Sequence, residues 1–183
     1  MLHYRNRFLT MAIAVSTLAL GASDAAAEAF VDIGASASDL EATVANQDAT
    51  IDTSTSSIHL GLGVQRRLSG GNDIGVRLEL DEVDSELLLA LRLVDYRFNV
   101  SDRLGFDAFF GAARLSLGTP AYGYYFGGGV QLKQLVAKWD LGIDLRYGDK
   151  IARDNLLPSD PQGGSQDNFY DLTGISVYLS RRF

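Results

Sequence analysis

The groups in this chain that could do chemistry are few. There is no Cys, which excludes disulfides, thiolate zinc sites, iron–sulfur clusters and a thiol nucleophile. Beyond residue 27 there is one histidine, His59. Charged residues recur inside otherwise apolar runs: Asp32, Arg77, Glu79, Arg92, Asp107, Asp144 and Arg146. A charge held against a low-dielectric wall must be paired or hydrated. These residues therefore predict a salt-bridged interior built around Arg77, Glu79, Arg92 and Asp107, with Asp32, Asp144 and Arg146 nearby. The competing reading is the lining of a narrow gated pore. Gly61-Leu62-Gly63 and Gly127-Gly128-Gly129 look like phosphate loops, but no strand-to-helix context follows them. Glycines that let strands pack and bend fit better. Asp149, Asp154, Asp160 and Asp167 share one stretch, but their spacing matches no calcium loop. No metal, no cofactor and no enzymatic activity are expected.

The elements that hold these residues are read from alternation. Apolar residues recur at every second position in eight segments, which is the strand period. Val31, Ile33, Ala35 and Ala37 form the first set, and Ile58, Leu60, Leu62 and Val64 the second. Ile74 to Leu80, Leu87 to Leu93, Leu104 to Ala112, Tyr124 to Leu132, Trp139 to Tyr147 and Thr173 to Phe183 give the other six. No stretch after residue 27 shows a helical period. Each segment approaches the 9–11 residues that a tilted strand needs to cross a membrane. Short turns are expected at 68–72, at 99–102 and around Gln134. The long loops are expected at 39–56 and 149–168.

Composition narrows the class. The chain has 183 residues, 46% apolar and 21% charged, with a net charge of −7. An acidic balance argues against nucleic acid, whose phosphates need a basic face. Mean hydropathy is +0.03, too low for a bundle of membrane helices. Arg5 and Arg7, an apolar run at 11–20 and Ala25-Ala26-Ala27 have the form of a secretory signal peptide over residues 1–27. The mature domain would then be 28–183.

Alternation alone does not say which face is wet. The second set along the strands is mostly Gly, Ala, Ser and Asp, and small residues suit the cramped inside of an eight-stranded barrel. The first set is Leu, Ile, Val, Phe and Trp, which suits lipid. Tyr122, Tyr124, Trp139, Tyr147, Tyr170 and Phe183 lie near strand ends, as interfacial girdles do. The expected fold is all-β, an eight-stranded antiparallel up-and-down transmembrane β-barrel.

Specific segments carry a resemblance. The run from Ile175 through Val177 and Leu179 to Phe183 looks like the last strand of Gram-negative outer-membrane proteins. Arg181 departs from it, where an aromatic is usual. Tyr96-Arg97-Phe98, the run 104–113, the run 122–130 and the run 139–147 resemble the OmpA-like outer-membrane β-barrel superfamily. The resemblance implies residence in the cell outer membrane. It implies recognition of Ile175, Val177, Leu179 and Phe183 by the barrel assembly machinery, with periplasmic chaperones before it. It also implies no separate peptidoglycan-binding domain. Outer-membrane lipid and, from the charge of the loops, lipopolysaccharide are the expected partners, and a monomer the expected form. Lipid A deacylases of similar size use a His and a Ser on the lipid face, whereas His59 falls in the inward set.

The fourth strand tests the register. Facing its Leu set outward turns Arg92 inward and leaves Asp95 and Arg97 outside, near a membrane boundary where the cost is roughly 0–1 kcal/mol. A bulge near Val94 would instead serve both ends of the strand. The functional expectation is a non-enzymatic surface protein acting through loops 39–56 and 149–168. The alternative is a small passive channel for ions or small solutes.

Overall fold

The computed structural model of the chain describes residues 27–44, 50–116, 121–136, 138–153 and 168–183. Eight strands run in chain order: β1 Glu28–Val44, β2 Thr50–Arg67, β3 Asp73–Val83, β4 Glu86–Asn99, β5 Leu104–Leu115, β6 Ala121–Val136, β7 Trp139–Arg153 and β8 Asn168–Arg182. Each pairs antiparallel with the next, and β1 pairs with β8 to close the barrel. Closure leaves no strand edge open, as a chain in hydrocarbon requires, because no water is there to satisfy free backbone groups. The expected signal segment, the loop cores 45–49 and 154–167 (with Asp154, Asp160 and Asp167) and the connection 117–120 lie outside the described residues.

The strands are longer than the alternation suggested. β1 and β2 have 17 and 18 residues, well beyond the roughly 9–11 that span a membrane. Residues 39–44 and 50–56, expected as loop, continue the β1–β2 ladder, with Asp39 opposite Ser54 and Glu41 opposite Asp52. Residues 149–153 likewise belong to β7 and Asn168 to β8.

The reason is a reversal of patterning along the barrel. Toward the short-turn end, the outward side chains are apolar and exposed, including Ile33, Ile58, Leu60, Leu62, Phe106, Leu145 and Val177. Their inward neighbours are polar. Toward the other end, the outward residues include the polar Asp39, Glu41, Asp52, Ser54 and Glu82, with Leu87, Tyr122 and Phe169 among them, all exposed. Their inward counterparts Leu40, Val83, Leu88, Leu115, Ile151 and Leu172 are buried and pack as one cluster. The first zone is patterned for lipid outside, the second for water outside. Substitution should locate the boundary. Leu60→Arg, outward in the apolar band, should cost about 2–4 kcal/mol, whereas Ser54→Arg on the same face should cost roughly 0–1 kcal/mol. Urea unfolding in lipid vesicles measures both, and equal costs would place the boundary elsewhere.

Bulges resolve the local conflicts. On β4, Leu93 and Val94 are both exposed, and the pairing with β5 shifts register between Arg92 and Val94. The extra residue changes the phase of the strand. Arg92 points in below 1% exposure, and so do Asp95 and Arg97, at 7% and 3%. Asp95 and Arg97 are therefore inside, not outside as strict alternation placed them. The turn expected around Gln134 is also displaced. Gln134 lies within β6 at another register shift, with φ 54°, and the connection to β7 follows Val136. The β3–β4 hairpin turns on Asp84 and Ser85, with φ 52° and 63°, as a two-residue loop of the I′ kind requires.

Candidate functional site

The lumen is the one place where the sequence concentrates chemistry, and it has two levels. In the lower level, β1 contributes Asp32, β2 His59, β3 Arg77, Glu79 and Asp81, and β4 Arg92 and Asp95. β5 contributes Asp107, β6 Gln131, β7 Asp144 and Arg146, and β8 Tyr178. All are inward and buried. They reach one another because glycines stand opposite the large groups. A Cβ at Gly142 would lie 2.3 Å from the Tyr178 ring, and one at Gly129 would lie 2.3 Å from an Asp144 oxygen.

Two arginines organise this level. Arg77 donates from Nε to Asp95 at 2.9 Å and pairs with Asp32 at 3.1 Å. It also donates to the Tyr178 hydroxyl at 2.9 Å. Its guanidinium lies 5.0 Å from the Phe30 ring centroid and 5.2 Å from that of Tyr178. Arg92 pairs with Glu79 and, at 2.6 Å, with Asp144, while stacking 3.5 Å over Phe109. Tyr178 donates to Asp144 at 3.1 Å, and Tyr125 donates to Glu79 at 2.7 Å. Arg146 binds Asp81 at 2.5 Å and Ser38 at 3.0 Å.

The structure thus brings together Asp32, Arg77, Glu79, Arg92 and Asp144, with Arg146 joined through Asp81. Asp107 stands apart: neither of its oxygens has a hydrogen-bond partner. Its cross-strand neighbour Arg97 donates to Gln65 at 3.0 Å instead. Asp81 and Asp95 are the charged network members that the sequence reading left out, and Tyr125 a neutral one. Asp81 continues the alternation of Arg77 and Glu79, a signal that was available. Asp95 is hidden by the bulge.

Ser36, His59 and Asp81 supply the residue types of a nucleophilic triad without its geometry. Asp81 accepts from Ser36 at 2.8 Å and contacts His59 Nδ1 at 3.0 Å. The serine is thus held by the acid, not by the histidine, and His59 is fully buried. Nucleophilic catalysis needs the base on the nucleophile, so this cluster reads as packing.

The upper level is apolar. Leu40, Val83, Leu88, Ala90, Phe109, Ala113, Leu115, Ala121, Tyr125, Ile151 and Leu172 form a continuous buried cluster, with Tyr170 against it. Tyr170 is therefore a lumen residue and not part of an outer girdle; β8 turns it inward beside Leu172. The other expected girdle residues are on the outside. Tyr122 and Tyr124 are 43% and 62% exposed. Tyr147 packs edge-on against Phe126 at 5.2 Å, and Trp139 and Phe183 lie at the short-turn end. Ile175, Val177 and Leu179 face outward on β8.

An eight-stranded antiparallel barrel in up-and-down order, with an apolar outer band and a polar lumen, has the fold of the small outer-membrane barrels. The solved structures it resembles are of that kind. Ail, the attachment invasion locus protein of Yersinia pestis, solved with the heparin analogue sucrose octasulfate, superposes with a TM-score of 0.52 at 10% identity, over 86% of this chain and 99% of that one. The outer membrane protein OprG of Pseudomonas aeruginosa gives 0.50 at 12% identity, over 88% and 98%. At such identities the likeness is one of fold. No family model and no curated protein sequence matches the chain.

Proposed function

We propose that the protein is an integral outer-membrane barrel with a closed lumen, serving the cell envelope through its exposed end and not by transport or catalysis. The observation that carries this is the filling of the lumen at two levels. The Arg77 and Arg92 ion pairs occupy the lower one, and the buried cluster from Leu40 to Leu172 packs in the upper one. Water and ions would have to breach both. The surface role belongs to the strand extensions beyond the apolar band; residues 45–49 and 154–167, where the expected loops would continue it, lie outside the described residues. Outer-membrane lipid and lipopolysaccharide are the surroundings this reading implies, with the assembly machinery and chaperones acting before insertion and a monomer as the working form. Ail holds a polysulfated sugar. The extensions here present Asp39, Glu41 and Asp52 outward, which repel such a polyanion and favour cationic surfaces.

A small passive channel is the second reading, and one observation favours it. Asp107, Gln131 and Ser176 are buried with side-chain polar atoms that have no partner, and such groups are normally satisfied by water. Among the described residues, eight buried carboxylates face four buried guanidiniums, so a path through them would select cations. Single-channel recording of the refolded protein in a planar bilayer separates the two readings. The closed barrel predicts silence from the native protein and leak after Arg92→Ala. Steady cation-selective steps from the native protein would overturn it.

A further inference from the structure

Arg181 is the one residue of the last strand that departs from the expected pattern, and the lumen does not use it. Arg182, beside it, pairs with Asp140 at 2.6 Å and with Glu28 at 4.0 Å. Arg181 is exposed on the outer face, and no Asp or Glu among the described residues pairs with it. Its guanidinium is held between two rings instead, 5.6 Å from the Trp139 centroid and 5.5 Å from that of Phe183. Trp139 is its cross-strand partner on β7.

The surroundings are amphipathic. Lys138 is exposed just before Trp139, and the exposed Val136 pairs with Trp139 across the β6–β7 turn. Arg67 and Arg103 are exposed at the same end, against Glu28 and Asp102. The opposite rim carries the outward acids Asp39, Glu41, Asp52 and Glu82. An anionic headgroup is thus repelled at one end of the barrel and attracted at the other. Aromatic rings of this kind sit at the headgroup level of a bilayer. A guanidinium fixed between them presents a fork of donors that matches two phosphate oxygens, while Val136 and the ring faces meet the first methylenes of a lipid chain.

We propose that Arg181, clamped by Trp139 and Phe183, is a subsite for the phosphate of an anionic phospholipid in the leaflet at the short-turn end. The inference rests on the transmembrane reading above and adds a lipid preference to it. Trp139 is the only tryptophan of the chain, so it reports on this site directly. The refolded protein is placed in phosphatidylcholine vesicles containing either brominated phosphatidylglycerol or brominated phosphatidylcholine, and quenching of Trp139 is followed against mole fraction. Brominated phosphatidylglycerol is expected to occupy the site about fivefold more readily, the effect of one basic residue at an anionic surface. Arg181→Gln should remove most of the preference, leaving the weaker pull of Lys138, Arg67 and Arg103, without changing quenching by brominated phosphatidylcholine. A second arm needs no variant: molar salt should erase the preference of the native protein. Parity in the native protein, a preference left undiminished by Arg181→Gln, or indifference to salt overturns the proposal. Quenching by neither lipid would instead sink the transmembrane reading itself.

Discussion

Replacing Arg92 by alanine is expected to destabilise the folded barrel by about 3–5 kcal/mol, the cost of leaving a buried charge uncompensated. Urea unfolding in lipid vesicles measures it. The guanidinium serves Glu79 and Asp144 together and covers the Phe109 ring. Alanine leaves both carboxylates, where almost no solvent reaches, with the hydroxyls of Tyr125 and Tyr178 but without the guanidinium between them, and removes the stacking. Arg77, 3.9 Å from Asp144 and with one terminal nitrogen unpartnered, covers the loss only in part, because Asp95, Asp32 and the Tyr178 hydroxyl hold its other donors. A paired change, Glu79→Gln with Arg92→Met, should recover a good part of the loss, since a buried ion pair is often replaceable by packed neutral groups. A loss below about 1 kcal/mol, the range of exposed pairs, would mean that water screens the lumen, and the closed reading would go with it.

Leu172→Ala should cost about 2–5 kcal/mol, as truncations in packed cores do. Leu172 is fully buried in the upper cluster, against Tyr170 and the other inward residues. Leu179, on the same strand but facing outward, is 40% exposed. Its truncation removes contacts with lipid, which can flow into the space, and should cost clearly less. Similar losses at the two positions would remove the case for a water-type core above the membrane zone. The same experiment read as conductance tells whether the apolar level alone holds the lumen shut.

Most of the fold could be read from the sequence, because alternation fixes which side a strand residue takes. One residue in two of Val31 to Ala37, or of Ile58 to Val64, is apolar, and each set falls on one face. Asp32, Arg77, Glu79, Arg92 and Asp144 sit inward for the same reason. Two things were not legible. Alternation counts residues and so fails wherever the backbone inserts one. The conflict between the Leu set and Tyr96 and Phe98 raises a bulge near Val94 only as an alternative, and it is the register shift against β5 that turns Asp95 and Arg97 inward. Composition, in turn, suggests loops wherever Ser, Thr and Asp gather. In 39–43 and 52–56 those residues are the wet face of a strand whose other face offers Leu40 as its strong apolar marker. Tyr170 was misplaced by the same inversion: aromatics near strand ends suit a girdle in lipid, but they fill the core once the barrel has risen into water. Pairing partners inside the lumen, such as Asp81 with Arg146, join strands far apart in the chain, and no local spacing specifies them.

The closing seam between β1 and β8 has a consequence for the order of assembly. Every other ladder joins neighbouring strands, whereas this one pairs Phe30 with Arg182 and Val44 with Asn168. It forms only after the final strand has been made. Until then, β1 and β7 each expose a full row of backbone donors and acceptors, at several kcal/mol for each unsatisfied group in hydrocarbon. A partly built sheet therefore has no resting place within the bilayer. Insertion must proceed as a single concerted event, or beside a scaffold that lends its own strand edge until the first and last strands meet.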